Sequence, residues 1–209
     1  MILKKLVVGH LGTNCYIFGS DKKIVIIDPG ADPKTIIEVV ENLGNDVKVT
    51  GVILTHGHFD HSMKAGRIIK HFNTPLMYSK KDSMHYGIDK EADKWLEEGD
   101  TIILDDINLN ILETPGHTPG SISLYTKDVK NVDDNHIDGI IFTGDLIFRR
   151  SIGRTDFPGG DQLQLFSSIK NKIMYNPDLT DNFLILSGHM GTTTIGEERK
   201  FNMFKNYFL

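Results

Sequence analysis

Three histidines and an aspartate lie within six residues of one another in the segment His56-Gly57-His58-Phe59-Asp60-His61. Imidazole binds zinc and iron well, and a carboxylate adds a harder ligand, so this mixed set is typical of a catalytic metal site. Structural zinc sites usually contain thiolates, and the chain has one cysteine. His56 and His58 can face one side of a turn while Asp60 and His61 face elsewhere, which favours two ions. A solvated polar loop is the alternative, and the density of histidines disfavours it.

A short apolar run, residues 51–54, stands directly before this segment and is typical of a buried strand. The histidines therefore follow a strand's carboxyl end. The same layout recurs three times, with His117 after the run 109–112, Asp145 after 140–142 and His189 after 183–186. Each recurrence alone is ordinary turn chemistry. Together they predict that these turns supply the further ligands that two ions need.

The order and spacing of these residues resemble the metallo-β-lactamase superfamily, nearly from end to end of the chain. Within it, three segments resemble short, single-domain glyoxalase II-like hydrolases: 144–148, 153–160 and 193–199. The resemblance implies an α+β fold, an αββα four-layer sandwich, formed by one domain over residues 1–209.

The same resemblance implies the ligand assignment. The first ion is held by His56, His58 and His117, the second by Asp60, His61 and His189, and Asp145 bridges the two ions. Zinc is the expected metal, with two ions per chain, and iron or manganese is the alternative. Asp60 and Asp145 are the expected catalytic residues, because Asp145 positions both ions and Asp60 can accept a proton from the attacking water.

A pair of ions can share a hydroxide that is a strong nucleophile at neutral pH. The resemblance implies that it cleaves an S-2-hydroxyacyl thioester such as S-lactoylglutathione. Glyoxalase II proper carries an additional helical domain that holds glutathione, whereas this chain ends about where the metal-binding domain does. Met190, Gly191 and Met203 also differ from the residues common in relatives. The thiol carrier is therefore left open.

Segment 153–157 also resembles the persulfide dioxygenases of this superfamily, which use one iron. In that alternative, iron is held by His56, His117 and Asp145, with His58, Asp60, His61 and His189 around it. Lactonase and β-lactamase activities are lower-ranked alternatives. A non-catalytic binding module is a third class, disfavoured because a complete ligand set is costly to place unless it binds metal.

Length and composition limit the other functions. With 209 residues and 39% hydrophobic content, the chain can bury one core. A net charge of −5 without a basic arm disfavours nucleic acid as a partner. The apolar stretch at the amino terminus ends at Gly9-His10 and is too short for a signal or membrane span. We expect a cytoplasmic protein whose partner is a small-molecule thioester, without a membrane partner, and Cys15 cannot form an internal disulfide. No oligomeric state is predicted.

Apolar runs predict strands over 3–8, 14–18, 23–27, 51–54, 76–78, 101–104, 109–112, 121–125, 140–142 and 183–186. Helical spacing predicts helices over 33–43, 65–72, the charged stretch 80–99, and 163–174. Asp32, Asp161 and Thr194 are the predicted N-caps, and Thr194 with Glu197 forms a capping box. Residues 127–138 are a predicted polar loop. The pattern predicts two packed sheets with helices outside and the segment 80–99 as a cover of the site.

Several further residues have two interpretations. Asp28 can support a ligand or bond its own turn, and the sequence does not decide. Arg154 is interpreted as a structural partner of Asp156 rather than a substrate contact, and Cys15 and Tyr16 as buried strand residues. Four histidines lack neighbouring ligands and are interpreted as surface or helix-face residues: His10, His71, His85 and His136. Trp95 and Tyr86 are expected to anchor helices.

Overall fold

Two mixed sheets form the centre of the fold in the computed structural model, which describes residues 1–83 and 90–209. The first sheet contains, in spatial order, β1 (Ile2–Val8), β2 (Thr13–Gly19), β3 (Lys23–Ile27), β4 (Lys48–Ile53), β5 (Leu76–Tyr78) and β6 (Lys94–Trp95). The second contains β7 (Thr101–Leu104), β8 (Ile107–Glu113), β9 (Ile122–Thr126), β12 (Gly139–Gly144), β15 (Phe183–Ser187) and β16 (Thr193–Thr194). Two short hairpins pair β10 (Asn131–Val132) with β11 (Asn135–His136) and β13 (Ile147–Phe148) with β14 (Ser151–Ile152).

The described helices are α1 (Pro33–Glu41), α2 (Phe59–Ser62), α3 (Ala65–Phe72), α4 (Lys80–Ser83), α5 (Gln162–Ser168) and α6 (Ile195–Phe201). A π-helical segment, Ile169–Met174, continues α5, and a 3-10 turn covers Lys205–Tyr207. Within residues 1–83 and 90–209, no helix combines the length and the apolar content needed to cross a membrane.

Parallel pairing brings together, at one edge of each sheet, the carboxyl ends of the strands that precede the predicted ligands. β3, β4, β5 and β6 are parallel to one another, as are β12 and β15. β9 is antiparallel to both β8 and β12, so β8 runs in the same direction as β12 and β15. The carboxyl ends of parallel strands are the usual place for a site, because loops that follow neighbouring strands lie side by side there.

An apolar core lies between the two sheets. Phe142 of the second sheet is fully buried, and its ring lies 5.2 Å from that of Tyr16 and 5.1 Å from that of Phe18, both in the first sheet. Around these rings pack aliphatic side chains of both sheets, including Val25, Ile27, Ile53, Leu109, Ile111, Leu124 and Ile140. Burial of these inward faces is what holds the sheets together.

Helices cover both outer faces. Ile36 and Val40 of α1 and Ala65, Ile68 and Ile69 of α3 pack on the outer face of the first sheet. On the second sheet, the outer cluster contains Leu165 of α5, Ile169 and Ile173 of the π-helical segment, and Ile195 of α6. The predicted αββα four-layer fold is confirmed.

The predicted helix over 80–99 is wrong over residues 90–99, which contain no helix. Lys94 and Trp95 instead form β6, which pairs with Met77 and Tyr78 of β5. The edge of β5 offers backbone partners that local charge patterning cannot reveal, and the ring of Trp95 packs 5.2 Å from that of Tyr78. Trp95 therefore anchors a strand rather than a helix. Residues 84–89, which include His85 and Tyr86, lie outside the described residues.

Helix ends differ in detail from the prediction. Asp161 and Thr194 cap their helices by accepting from the backbone N–H of Gln164 and Glu197. Asp32 occupies the predicted N-cap position in a left-handed conformation, but its carboxylate accepts from the N–H of Gly9 instead. Residues 127–138, predicted as a loop, contain the small β10–β11 hairpin.

Replacing Phe142 with alanine tests the position of the intersheet core. We expect F142A to lower the free energy of unfolding by about 3–5 kcal/mol in urea titrations, because it empties a dry space between two aromatic rings. The control is I103A in the same sheet, where the side chain is 64% exposed, and we expect a loss below about 0.5 kcal/mol. Equal losses in the two variants would contradict the described core.

Candidate metal centre

The structure brings all seven predicted ligands together at one end of the two sheets. Their donor atoms form three overlapping groups, and within each group all atoms lie within 4.8 Å of one another: His56, His58 and His117; His56, His61 and Asp145; Asp60, His61 and His189. The first and last groups are the two predicted ligand trios, called here the first trio and the second trio. The middle group joins a residue of each trio to Asp145.

Asp145 lies between the trios. Its Oδ2 is 3.5 Å from Nε2 of His117 in the first trio and 3.4 Å from Nε2 of His189 in the second. Its Oδ1 is 3.5 Å from Nε2 of His61. One carboxylate thus faces histidines of both trios, which is the placement that a bridging ligand requires.

Asp60 faces the second trio. Its Oδ2 is 3.4 Å from Nε2 of His61 and 3.3 Å from Nε2 of His189, and it accepts a 2.8 Å hydrogen bond from the hydroxyl of Thr13. Thr13 begins β2, so the first sheet holds this carboxylate in place.

Unpartnered buried atoms test whether the residues fit a metal. Among the described residues, buried side-chain nitrogen or oxygen atoms lack a hydrogen-bond partner at His56 Nε2, His61 Nε2, Asp145 Oδ1 and Arg199 Nε. An unsatisfied buried polar group costs about 1–3 kcal/mol. Three of these four atoms belong to the middle ligand group, and two ions that share Asp145 would satisfy all three. The site therefore fits divalent metal.

In three of the ligand histidines, the protein holds the other ring nitrogen. His61 Nδ1 lies 2.9 Å from Oδ2 of Asp28, and His117 Nδ1 donates to the backbone oxygen of Arg154 at 2.6 Å. His56 Nδ1 lies 3.1 Å from the hydroxyl of Thr55. Such contacts fix the tautomer and orient Nε2 toward a metal.

Asp28 supports ligands in both trios. Besides His61, its carboxylate accepts from the backbone N–H of Thr55 and from the Thr55 hydroxyl, each at 2.7 Å. Since the Thr55 hydroxyl donates to Asp28, its oxygen is free to accept from His56 Nδ1. Of the two interpretations left open by the sequence, the structure favours ligand support.

The pKa values of the histidines differ between the two trios. Burial, reinforced by neighbouring imidazoles, lowers the pKa of His56 and brings the pKa of His58 to about 4. Burial also disfavours the charged forms of His61 and His189, but the nearby carboxylates outweigh it. Asp145 and Asp28 raise the pKa of His61 to about 8, and Asp145 and Asp60 raise the pKa of His189 to about 10. Without metal, His56 and His58 are neutral at pH 7, whereas His61 and His189 are protonated.

Two glycines make room for the ligands. A Cβ at Gly30 would lie 1.5 Å from the backbone oxygen of Asp60, and one at Gly188 would lie 2.3 Å from Oδ1 of Asp145. Both distances are far inside van der Waals contact. Any larger residue at these positions would displace a ligand of the second trio or the shared carboxylate.

A cleft of about 450 Å³ opens beside the second trio. Its lining is Leu11, Gly12, Phe148, Ser151, Ile152, Arg154 and Met190 together with Asp145 and His189. Met190 has a left-handed backbone (φ 67°), and the amide of Asn14 donates to its backbone oxygen at 3.0 Å. This contact sets the exposed Met190 side chain at the cleft.

Arg154 and three of the four histidines without neighbouring ligands lie where the sequence predicts them, and the fourth, His85, lies outside the described residues. Arg154 pairs through Nε and Nη2 of its guanidinium with Asp156 at 2.6 Å, as interpreted, and it also lines the cleft. His10 and His136 are exposed, and His71 lies 2.9 Å from Glu41. None of these three histidines is in a ligand group formed by the described residues.

Three supporting residues were missed by the sequence analysis. Thr13 and Asn14 are buried polar residues at the start of an otherwise apolar strand, and that contrast is a usable signal. Asp82 follows β5 as the ligands follow their strands, but its charged surroundings hid it within a predicted helix.

The sequence profile of the Metallo-beta-lactamase superfamily matches residues 8–189, most of the chain and the whole of the ligand set. The chain belongs to the metallo-beta-lactamase superfamily. It is therefore a member of a superfamily of metal-dependent hydrolases.

Two relatives of this superfamily member are named as hydrolases, and one of the names specifies a substrate. The hydroxyacylglutathione hydrolase GloC of Haemophilus influenzae is 37% identical over 92% of both chains. The probable metallo-hydrolase YqgX of Bacillus subtilis is 31% identical over 98% of both chains.

Solved structures of superfamily members superpose along nearly the whole chain. BLEG-1, a B3 metallo-beta-lactamase, has a TM-score of 0.82 at 30% identity and covers 98% of this chain and 99% of its own. TTHA1623 in a di-iron-bound form has a TM-score of 0.81 at 27% identity, with 96% and 99% covered. ETHE1 from Myxococcus xanthus has a TM-score of 0.80 at 26% identity, with 100% and 88% covered.

Replacing Asp145 with alanine tests its shared role. We expect D145A to weaken metal binding at both trios at least about tenfold, because one carboxylate faces histidines of each. Metal per chain and affinity can be measured by elemental analysis and chelator competition. H136A is the control, since His136 is exposed and remote from the ligands, and we expect unchanged metal content. A D145A protein that retains two tightly bound ions would contradict the bridging assignment.

The two trios should differ in proton release when they bind metal. Ligation requires neutral imidazole, so loading the second trio at pH 7.5 must displace protons held by His189 and His61. We expect about one to two protons to be released, and this number should fall as the pH rises through about 10. Metal binding at the second trio should be weaker at lower pH. Calorimetry in buffers of different ionisation enthalpy measures this.

The matched control is the H189A variant, in which only the first trio is complete. Its binding step should release almost no protons from His56 and His58, whose pKa values are lowered. Equal proton release in the wild-type and H189A proteins would overturn the electrostatic division of the trios.

Proposed function

We propose that this protein is a binuclear metal-dependent hydrolase of the glyoxalase II type, acting on S-2-hydroxyacyl thioesters such as S-lactoylglutathione. The observation that carries the proposal is the presence of two complete ligand trios that share Asp145. The relative GloC, named a hydroxyacylglutathione hydrolase and 37% identical, supports the choice of a thioester.

The residues of each trio would hold one ion, with Asp145 between them. Zinc is the proposed metal, and iron is the alternative that the di-iron form of TTHA1623 supports. When bound, the metals would supply an activated water and polarise the substrate carbonyl. No serine or cysteine nucleophile is needed, and burial raises the pKa of the Cys15 thiol and so makes it a poor nucleophile.

Asp60 would act as the proton acceptor. Burial alone would raise the pKa of its carboxyl, but the hydrogen bond from His189 and the charge of His61 lower it, so the group is ionised at neutral pH. The hydroxyl of Thr13 fixes its orientation. Only the ionised form can take a proton from the attacking water, and because the lowered pKa makes Asp60 a weak base, it would hold that proton transiently and pass it on.

The cleft beside Asp145 and His189 would bind the substrate. Leu11, Phe148, Ile152 and Met190 give it an apolar lining, which suits the carbon and sulfur atoms around a thioester. A thiolate is a good leaving group at neutral pH and needs little protonation. We therefore assign the protein residues to positioning and proton transfer rather than to covalent catalysis.

A second candidate is a mononuclear-iron persulfide dioxygenase that uses His56, His117 and Asp145. It is supported by segment 153–157, where the backbone oxygen of Arg154 accepts from His117 Nδ1 and so contacts this ligand set. The completeness of the second trio favours the hydrolase, because a single-iron enzyme does not need Asp60, His61 and His189 as ligands.

The decisive measurement compares thiol release with oxygen consumption. Protein purified without added metal is analysed for metal content, then loaded with zinc and assayed with S-lactoylglutathione in a thiol assay and an oxygen electrode. We expect thiol release without oxygen uptake, and a rate at least about a hundredfold lower for D60N, since it loses a proton acceptor and a ligand. H136A should retain the wild-type rate. Oxygen uptake with glutathione persulfide, one iron per chain and no thioester cleavage would shift the assignment to the dioxygenase.

A further inference from the structure

Asp82 is a buried carboxylate outside the ligand set. It lies on α4, directly after β5, and its residue is only 1% exposed. Its Oδ2 accepts from the backbone N–H of Gly57 at 2.7 Å and from the hydroxyl of Thr118 at 2.8 Å. Its Oδ1 accepts from the backbone N–H of Gly120 at 2.6 Å. The carboxylate thus has three short, charge-assisted hydrogen bonds, which are stronger than neutral ones.

These three donors belong to the two loops that carry the first trio. Gly57 stands between His56 and His58, and Thr118 directly follows His117. The donors lie 25, 36 and 38 residues away from Asp82 along the chain. The side chain therefore joins distant loops and is not a local cap of its own helix.

The loop at Gly120 is shaped to receive this carboxylate. A Cβ at position 120 would lie 2.5 Å from Oδ1 of Asp82 and 2.7 Å from its backbone nitrogen. Only glycine leaves room for the carboxylate to reach the N–H. The fit indicates a built contact rather than a chance surface pairing.

Other bonds between the two loops do not fix the histidines in the same way. The backbone N–H of Ile122 donates to the oxygen of Thr55 at 2.8 Å, which joins the loops before the first histidine. His58 Nδ1 lies 2.9 Å from His117 Nε2, but that nitrogen is an expected metal donor and would have to give up this contact. Asp82 holds the loops beyond the strand ends, where the ligands themselves stand.

We infer that Asp82 is a positioning residue that clamps the His56–His58 loop to the His117 loop and so presets the geometry of the first trio. The inference rests on the proposed metal centre. It assigns no contact with substrate or metal to Asp82. The clamp acts through Gly57, Thr118 and Gly120, whereas ligands of the second trio are contacted by Asp28, at His61, and by Thr13, at Asp60.

The variant D82N tests the clamp with little change in shape. In either orientation, the asparagine amide places an NH₂ group against donors, facing Gly120 on one side or Gly57 and Thr118 on the other. We expect zinc affinity at the first trio to fall about tenfold to a hundredfold, the range for lost support of metal ligands. Zinc affinity at the second trio should change less than about threefold.

Two background variants separate the trios. H189A leaves only the first trio complete, and H58A leaves only the second. In chelator competition, D82N should weaken zinc binding in the H189A background and leave it unchanged in the H58A background. Unchanged affinity in H189A, or an equal fall in both backgrounds, would overturn the inference. The control D105N removes a carboxylate that accepts from Ser20 at the far end of β2, and we expect no change in either background.

A milder pair of variants keeps the test valid if D82N does not fold. T118V removes one donor with nearly the same shape, and T118S keeps the hydroxyl. We expect T118V to weaken zinc binding at the first trio about threefold to tenfold, because it removes the hydrogen bond to Asp82 and a neighbouring one with the hydroxyl of Ser121. T118S should bind as the wild-type protein does. Equal affinities in T118V and T118S would contradict the clamp.

Amide hydrogen exchange in metal-free protein tests the clamp independently of metal binding. The N–H groups of Gly57 and Gly120 should exchange slowly in the wild-type protein and faster in D82N. If the wild-type protein binds no metal, the proposed function fails, while this exchange difference still decides the inference. Equal exchange rates at both glycines in the two proteins would overturn it.

Discussion

The unpaired ligand atoms in the protein interior are the constraint on which the rest of the structure depends. Within the described chain, Nε2 of His56, Nε2 of His61 and Oδ1 of Asp145 are buried, close together and without hydrogen-bond partners. Each would destabilise the fold unless a cation compensates it. Since ligand sites of this kind exist only in the folded chain, metal binding and folding are coupled. The scaffold must therefore be rigid enough to hold these groups together before they are compensated.

The sheets meet this requirement through strand direction. Asp28, His56 and Asp82 follow the parallel strands β3, β4 and β5, while His117, Asp145 and His189 follow β8, β12 and β15, which share one direction. The core around Phe142 fixes one sheet against the other, so both sets of strand ends meet. The Tyr16 hydroxyl in the first sheet donates to the backbone oxygen of Ser187 at 2.7 Å, which ties the two sheets directly at the site. Ligand geometry is thus a consequence of intersheet packing.

The sequence predicted the central strands and the seven clustered residues because both leave local signals. Buried strands are continuous apolar runs, and His117, Asp145 and His189 each follow one of them. At Asp82 this signal is hidden by the charged residues around it, and β6 has no such local signal. Asp82 is defined by donors in two other loops, and Lys94–Trp95 is a strand only because β5 offers an edge. Long-range hydrogen bonds of this kind depend on the assembled fold, so a local pattern of charges could not predict them.

The two trios are held in place by different forces, and the difference follows from their charge. His61 and His189 are cationic without metal, so the carboxylates of Asp28, Asp60 and Asp145 attract and orient them. His56 and His58 are neutral without metal, so attraction between charges contributes less to their placement. Their placement depends on the Thr55 hydroxyl beside His56 and on the backbone of the loop that carries both, and a neutral ligand on a loop is only as well placed as that loop is fixed. A buried carboxylate that bonds the loop between the two histidines supplies the fixation that the charge of the ligands cannot.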